Sequence, residues 1–424
     1  MNGRWVVKAA LLFLLLLAPG AISAGTGALS GGLPGIPDRA STVPSQPRPT
    51  ATAEAIAPTP EPTPEPTPIP DPSLYRLPAN WQKGVVLWDR PESFGSPASF
   101  QSLRELRDVG ATSISPVVTW YVAGPWDPHI HPGKKTPTDD DLIAVIDEAH
   151  NLGLQVMLRF HIDCEDGNWR ARIDPQDKDA FFNAYTTVLG YYAGLARDHA
   201  VEGIAIGAEL SSLTKPAYTD YWRSVIVQVR QRFPGFLTYS AQWGSAPPDA
   251  LADPFREFEQ IQFWDDLDYL GISGYFELVA AGQTPSLQSY IDMWSRWRRL
   301  RIEPFQAKYN KPLIFTEIGY ASTPTAAIHP WAGGGAGAID LQLQAELYSA
   351  LFESWADVPW FRGAYFWFWP TSPGGLGLEG ADYPPSGKPA QEVLRRWYRL
   401  LDDMEQPPWK PSSAGGTIPQ EEGR

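Results

Sequence analysis

The chain has 424 residues, 43% of them hydrophobic and 12% aromatic, with a formal net charge of −14 and one cysteine, Cys164. The acidic balance argues against a nucleic-acid partner, and a lone cysteine excludes an intramolecular disulfide. The length suits one large domain that relies on its own apolar core.

Arg4 and Lys8 precede an apolar run from Ala9 to Leu17, broken by Pro19-Gly20, with small residues at Ala21, Ser23 and Ala24. This is the layout of an export signal, so residues 1–24 are expected to be a signal peptide and the protein to be secreted. The run is shorter than the roughly 20 residues that span a bilayer. Residues 25–73 read as a linker. Its Pro58-Thr59-Pro60-Glu61-Pro62-Thr63-Pro64-Glu65-Pro66-Thr67-Pro68 stretch buries nothing and favours an extended, semi-rigid spacer. Such a spacer holds a domain away from something, and association with a cell surface is compatible with it. Residues 74–403 are read as the folded domain, expected to be a monomer. The Pro-, Ser-, Gly- and Glu-rich residues 404–424 are read as a disordered tail.

Within the domain, strand and helix patterns alternate. Strands are expected at Gly84–Trp88, Ala111–Val118, Leu154–Phe160, Gly203–Gly207, Leu237–Gln242, Leu267–Tyr275, Pro312–Glu317 and Gly363–Trp369. Helices are expected at Ala98–Val109, Asp139–Asn151, Asp179–Asp198, Tyr218–Phe233, Leu287–Tyr309, Asp340–Trp355 and Pro389–Leu401, with a looser segment after the fifth strand. Thr138 and Asp139–Asp141 read as a helix cap and first-turn charge rather than metal ligands. Eight such units predict an α/β fold, a (β/α)8 TIM barrel. An open doubly wound sheet is the alternative, but no glycine-rich phosphate loop follows any strand.

Two strands end on a carboxylate: Gly203-Ile204-Ala205-Ile206-Gly207-Ala208-Glu209 and Pro312-Leu313-Ile314-Phe315-Thr316-Glu317. The carboxyl ends of barrel strands are where active sites are built. On the fourth and seventh strands the two glutamates can face each other across the mouth, as a retaining glycosidase requires of its acid/base and nucleophile. Trp88, Trp120, Tyr121, Trp243, Tyr275, Phe276, Trp367 and Trp369 fall at strand ends. Aromatic faces beside polar groups suit the C–H faces and hydroxyls of sugars. Arg159, His161 and Asp163 end the third strand. His161 and Asp163 alternate, as metal ligands can, but no further His or Cys ends another strand in a similar way. Contact with sugar, or support for Glu317, is the better reading. No metal or cofactor is expected, and the expected partner is a polysaccharide or oligosaccharide.

Several blocks together resemble glycoside hydrolase family 113, the β-mannanases of clan A, across nearly the whole folded region. They are Leu158-Arg159-Phe160-His161-Ile162-Asp163 followed by Gly167-Asn168-Trp169-Arg170, then Ile206-Gly207-Ala208-Glu209-Leu210, and the segment from Phe263 to Ile272. Phe315-Thr316-Glu317-Ile318-Gly319-Tyr320 and Gly387-Lys388-Pro389-Ala390 complete the set. The resemblance implies a retaining hydrolase of β-linked polysaccharide, mannan first, with Glu209 as acid/base and Glu317 as nucleophile. It also implies Tyr275 beside the nucleophile and Trp367 or Trp369 under the sugar. Three positions depart from the pattern. Ala208 stands where clan A enzymes commonly carry an asparagine that contacts the sugar 2-hydroxyl, Gln242 stands for Asn, and Glu277 for Pro. A clan A hydrolase of another glycan and a non-catalytic polysaccharide-binding barrel are the alternatives.

Overall fold

The computed structural model describes residues 81–88, 90–250, 253, 255–279, 285–334, 338–373 and 380–399. The expected signal, linker and tail lie outside them, as do the first and last residues assigned to the folded domain. All described residues fall in the compact unit that begins at Pro64.

Among the described residues nine strands form, in the order β1 (Gln82–Leu87), β2 (Ser113–Val122), β3 (His131–Pro132), β4 (Gln155–Cys164), β5 (Gly203–Ala208), β6 (Phe236–Gln242), β7 (Leu270–Ser273), β8 (Leu313–Ile318) and β9 (Phe361–Trp369). Their lateral order is β1-β9-β8-β7-β6-β5-β4-β2-β3, and pairing of β1 with β2 closes the sheet. The eight strands other than β3 are parallel throughout. The fold is therefore the expected TIM barrel. Strands β1, β5, β6, β7 and β8 are buried along their whole length, which the apolar runs opening β5 and β8 anticipated.

The helices are α1 (Pro97–Val109), α2 (Asp139–Asn151), α3 (Lys178–Asp198), α4 (Thr219–Arg230), α5 (Glu257–Gln260), α6 (Leu287–Trp297), α7 (Glu303–Tyr309), α8 (Leu341–Trp355) and α9 (Pro389–Arg399). Helix α1 buries Leu103, Leu106 and Val109 and ends at Gly110, whose φ of 100° belongs to the left-handed region. At the start of α2, Thr138 Oγ1 accepts from Asp141 N at 3.1 Å, the capping role read from sequence. Helix α9, the last element of the described residues, is tied to β1: Lys83 Nζ donates to the Tyr398 carbonyl at 2.6 Å and Tyr398 Oη to the Gly84 carbonyl at 3.1 Å.

Some boundaries differ from expectation. Strands β2 and β4 run on to Val122 and Cys164 because they pair with each other to their ends, and β3 adds an antiparallel rung to β2. The sixth barrel strand, expected over Leu267–Tyr275, shortens to Leu270–Ser273, the residues that pair with the neighbouring strands. The helix expected over Leu287–Tyr309 contains a π turn at Arg298–Ile302. Pro304 follows that turn; it has no N–H to donate and its ring crowds the carbonyl four residues back, so the helix widens there.

Candidate active site

Glu317 is the next-to-last residue of β8, with 7% of its surface exposed. Its Oε2 accepts from Arg159 Nη2 at 2.6 Å and its Oε1 from Tyr275 Oη at 2.6 Å. A guanidinium and a phenol thus aim at one carboxylate, fixing its orientation. Burial, with the nearby Glu317 charge adding to it, holds the Tyr275 pKa well above its ordinary value, so the phenol stays a donor. Arg159 is fully buried. It also donates from Nη1 to the Thr316 carbonyl at 2.5 Å, from Nη2 to Ser240 Oγ at 2.6 Å and from Nε to His161 Nε2 at 3.0 Å. Burial, then the charges of Arg170 and Arg159, keep His161 neutral, which lets Nε2 act as acceptor. Just past the strand, Gly319 lets the Trp367 carbonyl approach closely, since a Cβ there would meet it at 2.7 Å.

Glu209 follows β5 and is likewise 7% exposed. Its φ of 55° is left-handed, rare for a residue with a Cβ. Between Ala205↔Thr238 and Ala208↔Ser240, β5 advances three residues while β6 advances two. That extra residue re-aims the strand end, as bulges beside active sites do. Glu209 N donates to the Ser240 carbonyl at 2.9 Å, and the Ser273 hydroxyl lies close enough to the Glu209 carboxylate to lower its pKa. Ser273 is paired in register with Glu317, so the two glutamates share one neighbour. Burial raises the Glu209 pKa, and the Glu317 charge raises it further; Arg170, with Nη1 3.7 Å from Oε2, and Arg159 pull the other way. Two carboxylates that feel each other, one held by two donors and one pushed toward its protonated form, form an acid-and-nucleophile pair in principle.

The other sequence-predicted residues divide. Asp163 accepts from Arg170 Nε at 2.9 Å and Nη2 at 2.7 Å, beside Glu209. Trp243 meets Tyr275 edge-on at 5.3 Å between ring centroids. Trp367 stacks on His161 at 6.2 Å and tilts against Trp88 at 5.1 Å. Trp120 and Trp369 stand apart from this group. The Trp120 indole donates to Tyr192 Oη of α3 at 3.3 Å, and the Trp369 indole to Ser102 Oγ of α1 at 3.1 Å. For Trp369 the reason is a bulge: from Val85↔Phe366 to Leu87↔Trp369, β9 spends three residues against two, which turns the last side chain toward the helix layer. Sequence reasoning passed over Ser240, Ser273 and Thr316, whose hydroxyls link at 3.0 and 2.6 Å, and gave Arg170 no role although it lay in a noted block. For the three strand residues the only signal was a polar side chain inside a buried strand.

The sequence profile of Glycoside Hydrolase Family 113 matches residues 87–377, more than half of the chain. The chain belongs to glycoside hydrolase family 113. It is therefore a glycoside hydrolase whose substrate is a carbohydrate polymer. Among solved structures, a family 113 β-1,4-mannanase is 27% identical with a TM-score of 0.66, covering 76% of this chain and 99% of its own. The family 113 β-mannanase AaManA from Alicyclobacillus acidocaldarius, in complex with ManMIm, is 26% identical with a TM-score of 0.65, over 76% and 98%. A β-glucuronidase from an uncultured Clostridium, 16% identical with a TM-score of 0.50 over 77% and 53%, shares the fold alone. No curated protein matches by sequence comparison.

Proposed function

We propose that the enzyme is a retaining β-1,4-mannanase with Glu317 as nucleophile and Glu209 as acid/base. One observation carries the assignment of roles: Arg159 and Tyr275 both donate to Glu317, whereas burial and the Glu317 charge favour the protonated form of Glu209. A clamped carboxylate suits attack on the anomeric carbon; a carboxyl that keeps its proton suits donation to the leaving oxygen. In the first step a Glu317 oxygen bonds to the anomeric carbon as the glycosidic C–O bond breaks, and the Glu209 proton passes to the departing oxygen. In the second, Glu209 takes a proton from water, the water oxygen bonds to the anomeric carbon, and the ester to Glu317 breaks, leaving the configuration retained. Mannan is favoured because the related solved structures are β-mannanases. Secretion, a cell-surface location through the proline-rich spacer and a monomeric state belong to the same reading on sequence features alone.

Ala208 favours a second reading of the substrate. A methyl before Glu209 cannot contact a sugar 2-hydroxyl, so a different β-linked glycan competes with mannan. Hydrolysis rates on mannan, glucomannan, xylan and cellulose decide between them; mannan slower than another polymer would overturn the first. For the roles, Glu209→Ala should retain glycosylation by an activated aryl glycoside and yield a glycosyl azide of retained configuration when azide is added. Glu317→Ala should turn over neither activated nor natural substrates, and any azide product should be inverted. NMR of product configuration reads both, and exchanged outcomes would reverse the assignment.

A further inference from the structure

The segment after β6 reads in sequence as a loose connection, yet it buries a carboxylate. Glu257 opens α5 and is 2% exposed. Its Oε1 accepts from Thr214 Oγ1 at 2.6 Å and Tyr239 Oη at 2.8 Å, and its Oε2 from Gln242 N at 2.8 Å. Among the described residues it forms no ion pair; the adjacent Arg256 turns to Asp253 and Glu259 instead. Burying a carboxylate against hydroxyls and an amide is a poor way to gain stability, because desolvation is offset by no opposite charge.

The partners explain the position. Tyr239 Oη accepts from Leu210 N at 2.7 Å. Gln242 Oε1 accepts from Ser211 Oγ at 3.1 Å, and Thr214 is bonded directly. Three residues of the turn that follows Glu209 are therefore tied to one carboxylate, directly or through one intermediary. That turn begins in a conformation which persists only when its surroundings impose it, the left-handed φ of 55° at Glu209. We propose that Glu257 is a positioning residue for Glu209: through Tyr239, Thr214 and Gln242 it holds the turn from Glu209 to Thr214 and so aims the Glu209 carboxyl at the leaving oxygen. This rests on Glu209 being the acid/base. Glu257 does not touch substrate and acts only through that aim.

The isosteric change Glu257→Gln replaces an acceptor by an NH2 group, so one of the three donors faces a donor. The measurement is the pre-steady-state glycosylation rate on aryl glycosides of graded leaving-group pKa, with thermal unfolding recorded in parallel. Misplacing an acid by about 1 Å can lower its step by about 10²-fold. Glu257→Gln should therefore slow glycosylation by about 10- to 100-fold for poor leaving groups and by less than about threefold for activated ones. The plot of log rate against leaving-group pKa steepens, while KM stays unchanged. A merely structural role would lower all substrates equally, and that result, or no loss, would overturn the proposal. Tyr239→Phe cuts the link to Leu210 while leaving the Thr214 and Gln242 bonds of Glu257 in place; it should steepen the same plot, and decides the matter if Glu257→Gln does not fold. Glu209→Ala is the control. A steep plot for Glu209→Ala with wild-type slopes in Glu257→Gln and Tyr239→Phe refutes the positioning role alone. A wild-type slope in Glu209→Ala refutes the acid/base reading and the inference with it.

Discussion

At the scale of single residues, the site is a set of buried charges whose environments push them apart. Glu317 depends on the Tyr275 phenol, and a hydrogen bond to a charged acceptor is worth about 1.5–3 kcal/mol. Tyr275→Phe should lower the glycosylation rate by about 10- to 100-fold, checked by single-turnover kinetics. Glu257 adds a pH effect. Burial pushes its carboxyl up to about 7, against the pull of Thr214, Gln242 and Tyr239, and the Glu209 charge adds to the rise. An unfolded glutamate titrates near about 4.3, so the folded protein binds this proton more tightly than the unfolded chain. The stability associated with it is fully present below about pH 4.3 and is lost as pH rises through about 7, a change of about 4 kcal/mol. Denaturant midpoints between pH 4 and pH 8 should therefore fall more steeply in the wild type than in Glu257→Gln; parallel curves would contradict the raised pKa.

At the scale of elements, the bulges matter more than the regular pairing. β8 spends two residues against one of β7 at Ser273↔Glu317, and three against two of β9 from Phe315↔Ala364 to Ile318↔Phe366. β5 carries its own extra residue before Glu209. Both glutamate-bearing strands thus leave the regular register where their carboxylates emerge, which lets side chains of different strands converge on one point. Helices, by contrast, obey local rules. Gly110 closes α1 at φ 100°, and an added Cβ there would come 3.1 Å from atoms of Arg399 and Tyr398. Gly110→Ala should lower stability by about 1–2 kcal/mol through left-handed backbone strain, read from urea unfolding, with kcat unchanged because the cap is remote from both glutamates.

At the scale of the whole molecule, closure of the barrel makes first and last elements interdependent. β1 pairs with both β2 and β9, and α9 bonds to β1 through Lys83 and Tyr398. Trp397 of α9 stacks on Phe352 of α8 at 5.1 Å with their planes 10° apart. Trp397→Ala should lower stability by about 3–5 kcal/mol. Because the strands form one closed sheet, the loss should appear as a lower urea midpoint for the whole barrel with an unchanged m-value; a separate early transition would show that α9 unfolds on its own.

The alternation of apolar runs with amphipathic segments determined the barrel, since burial on both faces leaves a strand no polar alternation and packing on it leaves a helix one apolar stripe. The same local logic located the Thr138 cap, and the two carboxylates at the ends of buried runs marked Glu209 and Glu317. Tertiary structure decided what lay between them. Trp120 and Trp369 carry the same kind of signal as Trp243 and Trp367, but side-chain direction depends on pairing and on a bulge in β9, neither of which is encoded within a few residues. Glu257 gave no signal at all, because its significance lies in meeting Thr214, Tyr239 and Gln242 from elsewhere in the chain. Local sequence specifies periodicity and propensity; a hydrogen-bond network that joins distant segments exists only once the barrel has closed.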